Sequence, residues 1–74
     1  MEELLEILSE VKPGVDFETE KELVDSGILD SMTIIQLVAR LTDEYDIEIT
    51  PMDLVPENFN SAEAIYAMIQ RLED

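Results

Sequence analysis

Apolar residues recur at helical spacing in two long stretches of the chain. Residues 2–11 form the first stretch, with apolar positions at Leu4, Leu5, Ile7, Leu8 and Val11. Residues 31–45 form the second, with apolar positions at Ile34, Leu37, Val38, Leu41 and Tyr45. In each case the apolar side chains fall on one side of a helix of about 3.6 residues per turn. Both stretches are predicted to be amphipathic helices, and Pro13-Gly14 ends the first.

Shorter signals predict two more helices in the last third of the chain. Thr50-Pro51 resembles an N-cap followed by proline at the first helical position, which predicts a short helix that stops before Pro56. Asn60 with Glu63 three residues later resembles a capping box and predicts the start of the last helix. The buried side of that helix is predicted to consist of Ala62, Ile65, Met68, Ile69 and Leu72.

The remaining segments have no clear period. Residues 15–30 mix isolated apolar residues with charges, and we predict a long loop packed on the core. The alternating triplet Ile47-Glu48-Ile49 has no plausible partner strand and is predicted to be an extended loop. These elements predict an all-α fold, a small four-helix bundle of three main helices and one short helix with a long first loop. Residues 1–74 are expected to be a single domain without a deep substrate pocket.

Composition limits the classes of partner. Nineteen acidic residues against four basic ones give a formal net charge of −15, which repels phosphate backbones and anionic membranes. Nucleic acid is therefore not expected as a partner. The 46% hydrophobic content is too high for a disordered acidic tail. The acidic first residues, the lack of an apolar run of about 20 residues and the lack of cysteine predict a cytoplasmic protein without membrane insertion. It is expected to be a monomer.

The carboxylates are distributed unevenly along the chain. Between Arg40 and Arg71 there is no basic residue, and this region contains Asp43, Glu44, Asp46, Glu48, Asp53, Glu57 and Glu63. One interpretation is a solvated face that only maintains solubility. The other is a surface that attracts a basic partner, for which Asp43, Glu44 and Asp53 are the candidate contacts.

Residues 31–45 carry a second apolar group beside the core-facing stripe. Met32, Ile35 and Ala39 lie roughly 100–160° from the centre of that stripe on a wheel of 100° per residue. They either fill gaps under the long loop or form a patch on which an apolar groove of a partner docks. The pattern leaves both interpretations open.

Ser31 is placed where a loop gives way to the second long helix. A helix N-terminus presents unpaired N–H groups and the positive end of the helix dipole, so a phosphate ester on this hydroxyl would be stabilised. A simpler interpretation is that Asp30 or Ser31 does nothing more than cap the helix.

Asp30-Ser31-Met32, preceded by Gly27, resembles the signature of the acyl and peptidyl carrier family. The resemblance extends over nearly the whole chain in the order of its elements. It implies 4′-phosphopantetheine on the Ser31 oxygen, with Asp30 and Met32 beside it and Asp30 orienting the approach. It also implies a non-catalytic protein that is a substrate of a phosphopantetheinyl transferase, an acyl- or aminoacyl-activating ligase and a downstream acyltransferase or synthase.

Within that family the sequence favours the aminoacyl type. Fatty-acid carriers commonly have acids two and five residues after the serine, where this chain has Thr33 and Gln36. The stretch from Gly27 to Met32 looks like that of D-alanyl and other stand-alone aminoacyl carriers. A carrier of fatty-acid or polyketide synthesis is the alternative within the family.

Other functions have weaker support in the sequence. An EF-hand at residues 43–54 lacks the glycine at its sixth position and ends in leucine, so no defined metal site is expected. A hydrolase with paired carboxylates needs an enclosing cleft, and the chain has neither cysteine nor histidine to serve as a nucleophile or an imidazole base. The main rival is an acidic interaction module, either an adaptor or a nucleic-acid mimic, which would not need Ser31.

Overall fold

The computed structural model describes residues 2–73 and is all-helical over that range, as predicted. Its helices are α1 (Glu2–Val11), α2 (Ser31–Tyr45), α3 (Pro56–Phe59) and α4 (Ala62–Glu73), with a 3-10 turn at Pro51–Asp53. The predicted bounds of α1 and α2 are confirmed. Three main helices, short elements between the last two and a long first loop make the acyl-carrier-like bundle expected from the sequence.

The core forms where the three main helices meet. α1 packs against α2 and α4, and α3 packs against α4. Buried side chains from the helices include Leu4, Ile7, Leu8, Leu37, Leu41, Ile65, Met68 and Ile69. The apolar stripes predicted from periodicity are therefore the faces that pack together, since only these faces remove a continuous apolar surface from water.

The loop between α1 and α2 lies on this core without regular secondary structure in residues 12–30. Its buried anchors are Phe17, Leu23 and Leu29, which are each at most 4% exposed. Residues 47–50 also have no regular structure, and Ile47 is buried. Both loop predictions are confirmed.

The region between α2 and α4 differs from the prediction. The helix expected after Thr50 is a 3-10 turn of three residues, and a second short helix, α3, begins at Pro56. The sequence analysis took Pro56 only as a stop. Proline also suits the first position of a helix, where its fixed φ is helical and no N–H is needed.

The predicted N-cap of the last helix is wrong by one residue. Asn60 is the C-cap of α3, and α4 begins at Ala62. The Ser61 hydroxyl oxygen accepts the Ala64 N–H at 3.0 Å, so Ser61 caps α4. Glu63 forms an ion pair with Lys21 at 2.8 Å instead of closing a capping box. Asn60 faces the long loop because that loop offers it several unpaired N–H donors.

Candidate attachment site and docking surface

Asp30 is the residue that caps α2. Its backbone is extended, with φ −90° and ψ −179°, and its Oδ1 accepts the N–H of Thr33 at 2.8 Å. Its carbonyl accepts the N–H of Ile34 at 2.9 Å. The sequence left open whether Asp30 or Ser31 has this role. The structure assigns it to Asp30, the usual geometry of an N-cap.

Ser31 is consequently the first residue of α2, and its side chain is exposed. Its hydroxyl has no hydrogen-bond partner among residues 2–73. The N–H groups of Ser31 and Met32 have no acceptor in the same range, as expected for the first turn of a helix. The start of α2 therefore presents a free hydroxyl next to two free N–H donors.

The segment before Ser31 is held by a buried side chain and a tight turn. Leu29 is 2% exposed, and its N–H donates to the carbonyl of Leu23 at 2.8 Å. Gly27 has φ +85°, a conformation that side-chain-bearing residues rarely adopt. Because the chain is anchored at Leu29 and again in α2, Ser31 and Met32 project from a fixed corner.

The carboxylate of Asp30 keeps its charge at this corner. The N–H of Thr33 stabilises the charged form and lowers the Asp30 pKa below its ordinary value, with a smaller contribution from the positive charge of Lys12. A negative charge beside Ser31 repels a second anionic group. Any phosphate there has to be retained by a covalent bond and by the helix N-terminus, since this corner is not a cationic cradle.

The apolar patch predicted on α2 is exposed. Met32 is 71% exposed and Ile35 is 66% exposed, and Ala39 also faces solvent. Gap filling under the long loop, one of the two sequence interpretations, is therefore wrong for Met32 and Ile35. Exposed apolar side chains grouped beside a candidate reactive residue indicate a contact surface for another molecule.

Met52 and Leu54 are also exposed apolar side chains, and the sequence analysis did not single them out. Met52 is 88% exposed and Leu54 is 43% exposed. Leu54 and Ile34 of α2 line the same hollow of about 160 Å³, so the segment after the 3-10 turn lies beside α2. The signal was present in the sequence, because a helix confined between Pro51 and Pro56 is too short to bury an apolar side. We call Met32, Ile35, Met52 and Leu54 the docking patch.

The three candidate acids have different environments. Asp43 and Glu44 are exposed near the end of α2. Asp53 is half-buried, and its Oδ2 accepts both the N–H and the hydroxyl of Thr50 at 3.1 Å. Asp43 and Glu44 are therefore free to meet a basic partner, whereas Asp53 first stabilises the 3-10 turn that presents Met52.

Two hollows of the part of the chain that the structure describes lie away from Ser31. One hollow is lined by Val24, Ile34, Leu54, Val55, Pro56 and Phe59, and another by Leu5, Phe17, Glu18, Lys21, Ser61, Ala62 and Glu63. Ser31 lines neither. Within residues 2–73 no group of three or more acidic side chains is placed to hold a metal ion. In the same range no helix is long and apolar enough to cross a membrane.

Comparison with known proteins identifies the family to which this chain belongs. The family model described as "Phosphopantetheine attachment site" matches residues 2–69. The chain belongs to the phosphopantetheine attachment-site family. The match includes α1, α2 and most of α4, and with them the corner that carries Ser31. The family resemblance inferred from Asp30-Ser31-Met32 is confirmed.

Curated relatives narrow the type of carrier within this family. The D-alanyl carrier protein of Lactococcus lactis subsp. lactis is 32% identical over 75 residues, which covers 99% of this chain and 95% of the relative. The D-alanyl carrier protein of Lactobacillus delbrueckii subsp. bulgaricus is 30% identical over 74 residues, covering 97% and 91%. These full-length matches agree with the aminoacyl-carrier type favoured by the sequence.

Family membership fixes the class of function and cofactor. The chain is a carrier-protein domain of the kind that bears a covalently attached 4′-phosphopantetheine and is a substrate of other enzymes. In general, such carriers interact with a phosphopantetheinyl transferase and with ligases or synthases.

Proposed function

We propose that Ser31 bears the 4′-phosphopantetheine and that this chain carries an aminoacyl group, D-alanine by analogy with the named relatives, without catalytic activity of its own. The observation that carries the proposal is the division of roles at the start of α2. Asp30 provides the cap, so the exposed Ser31 hydroxyl is not needed for folding. The free N–H groups of Ser31 and Met32 suit a phosphate ester bonded to that hydroxyl.

The attachment is a phosphoryl transfer from coenzyme A. The Ser31 Oγ forms a bond to the phosphorus that carries pantetheine, the phosphoanhydride bond of coenzyme A breaks, and adenosine 3′,5′-bisphosphate leaves. The hydroxyl proton passes to a base of the transferase. When bound, the group supplies a thiol on a flexible arm that holds the cargo as a thioester.

The surface around Ser31 is suited to brief encounters with several enzymes. The docking patch provides the apolar contact, with Ala39 beside it on α2. Asp43, Glu44 and, through the turn it stabilises, Asp53 form the acidic part of the same surface. Apolar contact gives affinity, and opposite charge on the partner speeds the encounter and makes it salt-dependent. A monomeric carrier in the cytoplasm fits this role.

Modification of the apo protein tests the attachment site. Coenzyme A, magnesium and a broad-specificity phosphopantetheinyl transferase should add the mass of one phosphopantetheinyl group to the wild type and nothing to Ser31→Ala. Ser26→Ala is the matched control, because Ser26 is an exposed serine of the preceding turn, and it should be modified like the wild type. Intact mass spectrometry with peptide mapping measures the outcome. A folded wild type that stays unmodified would favour the adaptor function.

Loading of the modified protein tests the cargo. A D-alanine-activating ligase with ATP should form a hydroxylamine-labile D-alanyl thioester, and L-alanine and fatty acids offered to their own ligases should load poorly. Efficient loading with a fatty acid and none with D-alanine would instead assign the chain to the fatty-acid or polyketide type of carrier. Thr33 and Gln36, at positions where fatty-acid carriers commonly have acids, are the residues to exchange in that case.

A further inference from the structure

Asn60, at the junction of α3 and α4, binds residues 23–25 of the long loop. Its carbonyl accepts the N–H of Leu23 at 2.9 Å, and its Oδ1 accepts the N–H of Val24 at 2.9 Å and of Asp25 at 3.1 Å. Its Nδ2 donates to the Asp25 carboxylate at 3.2 Å. Every polar group of the Asn60 side chain therefore has a partner of the right kind, and only one orientation of the amide allows this.

We call these hydrogen bonds between Asn60 and residues 23–25 the clamp. The clamp is connected to the start of α2 through the turn of residues 23–29. The carbonyl of Leu23 accepts the Leu29 N–H at 2.8 Å, and the carbonyl of Val24 accepts the Gly27 N–H at 3.0 Å. Leu29 is buried and directly precedes the N-cap of α2. Fixing residues 23–25 thus fixes both ends of the turn that leads into Ser31.

The same clamp is connected to the other half of the docking patch. Asn58 of α3 donates from its Nδ2 to the carbonyl of Asp53 at 2.8 Å, which joins α3 to the 3-10 turn. Met52 lies in that turn, and Leu54 follows it. Asn60 ends α3, so one continuous set of hydrogen bonds runs from the turn, through α3 and Asn60, to the loop before Ser31.

We propose that Asn60 is a positioning residue for the modification of Ser31: it fixes Ser31 and Met32 relative to Met52 and Leu54. The inference rests on the proposed function and adds to it the residue that holds the recognition surface together. A partner that contacts both halves has to order the loop on binding if the clamp is absent. That ordering cost reduces affinity in proportion to the fraction of carriers in the competent arrangement.

Replacement of Asn60 by alanine is the first test. We expect Asn60→Ala to raise the KM for apo carrier in the transferase reaction about tenfold and to change kcat less than about twofold. Bound carriers have the correct arrangement in either case, so the chemical step is unaffected. Ile69→Val is the matched control for general destabilisation, because Ile69 is a buried residue of α4 outside the clamp, and its KM should stay at the wild-type value.

Amide hydrogen exchange of the unmodified protein supplies a measurement independent of the enzyme. Asn60→Ala should accelerate exchange at Val24, Asp25 and Leu29 about tenfold or more relative to α1, whereas Ile69→Val should accelerate all amides evenly. Equal exchange in Asn60→Ala and the wild type would overturn the inference.

Swapping the amide of Asn60 and the carboxylate of Asp25 distinguishes the effect of hydrogen-bond geometry from the effect of net charge. Asn60→Asp keeps the oxygens that accept the N–H groups of Val24 and Asp25, but it places a second carboxylate against that of Asp25. We expect its KM to rise about fivefold, and the N60D/D25N double variant to restore it within about twofold, because an amide then again faces a carboxylate. Gln70→Glu adds the same charge at an exposed position of α4 and should leave KM unchanged.

The outcomes separate this inference from the proposed function. Modification of the wild type, with Asn60→Ala and Ile69→Val giving the same KM, would overturn the positioning role and leave Ser31 as the attachment site. Failure of the wild type to take the group at Ser31 would overturn the proposed function. In that case the exchange rate at Leu29 still decides whether Asn60 fixes the corner.

Discussion

The helices α2 and α4 are both amphipathic, but they differ on the sides that face away from the core. In residues 62–73 the exposed side chains are polar, charged or alanine, and no large apolar residue is exposed. α2 buries Leu37 and Leu41 completely but leaves Met32 and Ile35 more than half exposed near its first turn. The apolar residues of α2 therefore serve two purposes: some form the core and others form a surface for another molecule.

Physically, the two apolar groups of α2 contribute to different free energies. Leu37 and Leu41 leave water on folding and therefore stabilise the folded chain. Met32 and Ile35 stay in contact with water, so their transfer free energy becomes available only when a partner covers them. The apolar residues of α4 contribute only to the free energy of folding, so α4 is the control for experiments on α2.

The largest expected effect is on the shared core. Leu37→Ala in α2 and Ile65→Ala in α4 should each lower the free energy of unfolding by about 2–5 kcal/mol, since both side chains are fully buried. A domain of this size is stable by only a few kcal/mol, so each variant should be largely unfolded near room temperature. Urea denaturation followed by circular dichroism measures this. A loss below about 1 kcal/mol in either helix would contradict the assigned core.

A smaller effect on stability and a large effect on partner use are expected at the docking patch. Met32→Glu and Ile35→Glu should change the free energy of unfolding by no more than about 0.5 kcal/mol and raise the KM for the transferase about tenfold. Ala67→Glu adds the same charge to the exposed side of α4 and should change neither quantity. Equal KM values in all three variants would remove the distinction between the two helices.

The charge of Asp30 gives a pH-dependent effect at the start of α2. Its pKa in the folded state is lowered by the Thr33 N–H, so its contribution to stability is present above the unfolded pKa and is lost as the pH falls through the folded pKa. Asp30→Asn keeps a capping oxygen without the charge. The stability of the wild type relative to this variant should therefore decline from about pH 5 toward about pH 2, as measured by urea titrations. A constant difference over that range would argue against the charged cap.

Salt should have the smallest effect. It should stabilise the folded chain and weaken binding to the transferase. It screens the repulsion among nineteen acidic residues, and this outweighs the screening of the exposed ion pairs Lys21–Glu63 and Arg40–Glu10. Tm should therefore rise by a few degrees between low salt and about 0.2 M NaCl, and magnesium at equal ionic strength should raise it further. The transferase KM should rise over the same range. An unchanged or lower Tm would contradict the role of repulsion.

The long periodic helices were predictable because many positions contribute to one pattern. The stripe of Ile34, Leu37 and Leu41 contains enough repeats to fix both the type of element and the side that faces the core. Pro56 and Asn60 were not predictable in the same way. Each is compatible with two local roles, Pro56 as a stop or a first residue and Asn60 as an N-cap or a clamp, and distant contacts decide between them.

The amino-acid sequence was sufficient to predict the helical bundle, the buried sides of its helices and the Asp30-Ser31-Met32 corner, because these follow from short-range spacing and local backbone preference. The three-dimensional structure was needed to show that Asp30 and not Ser31 caps α2, that Met52 and Leu54 are exposed with Leu54 beside α2, and that Asn60 holds the loop. The cap is a local hydrogen bond, but Asp30 and Ser31 both suit it, and a local pattern does not decide between them. The bonds of Asn60 join groups 35 and 36 residues apart, which meet only once the core has formed.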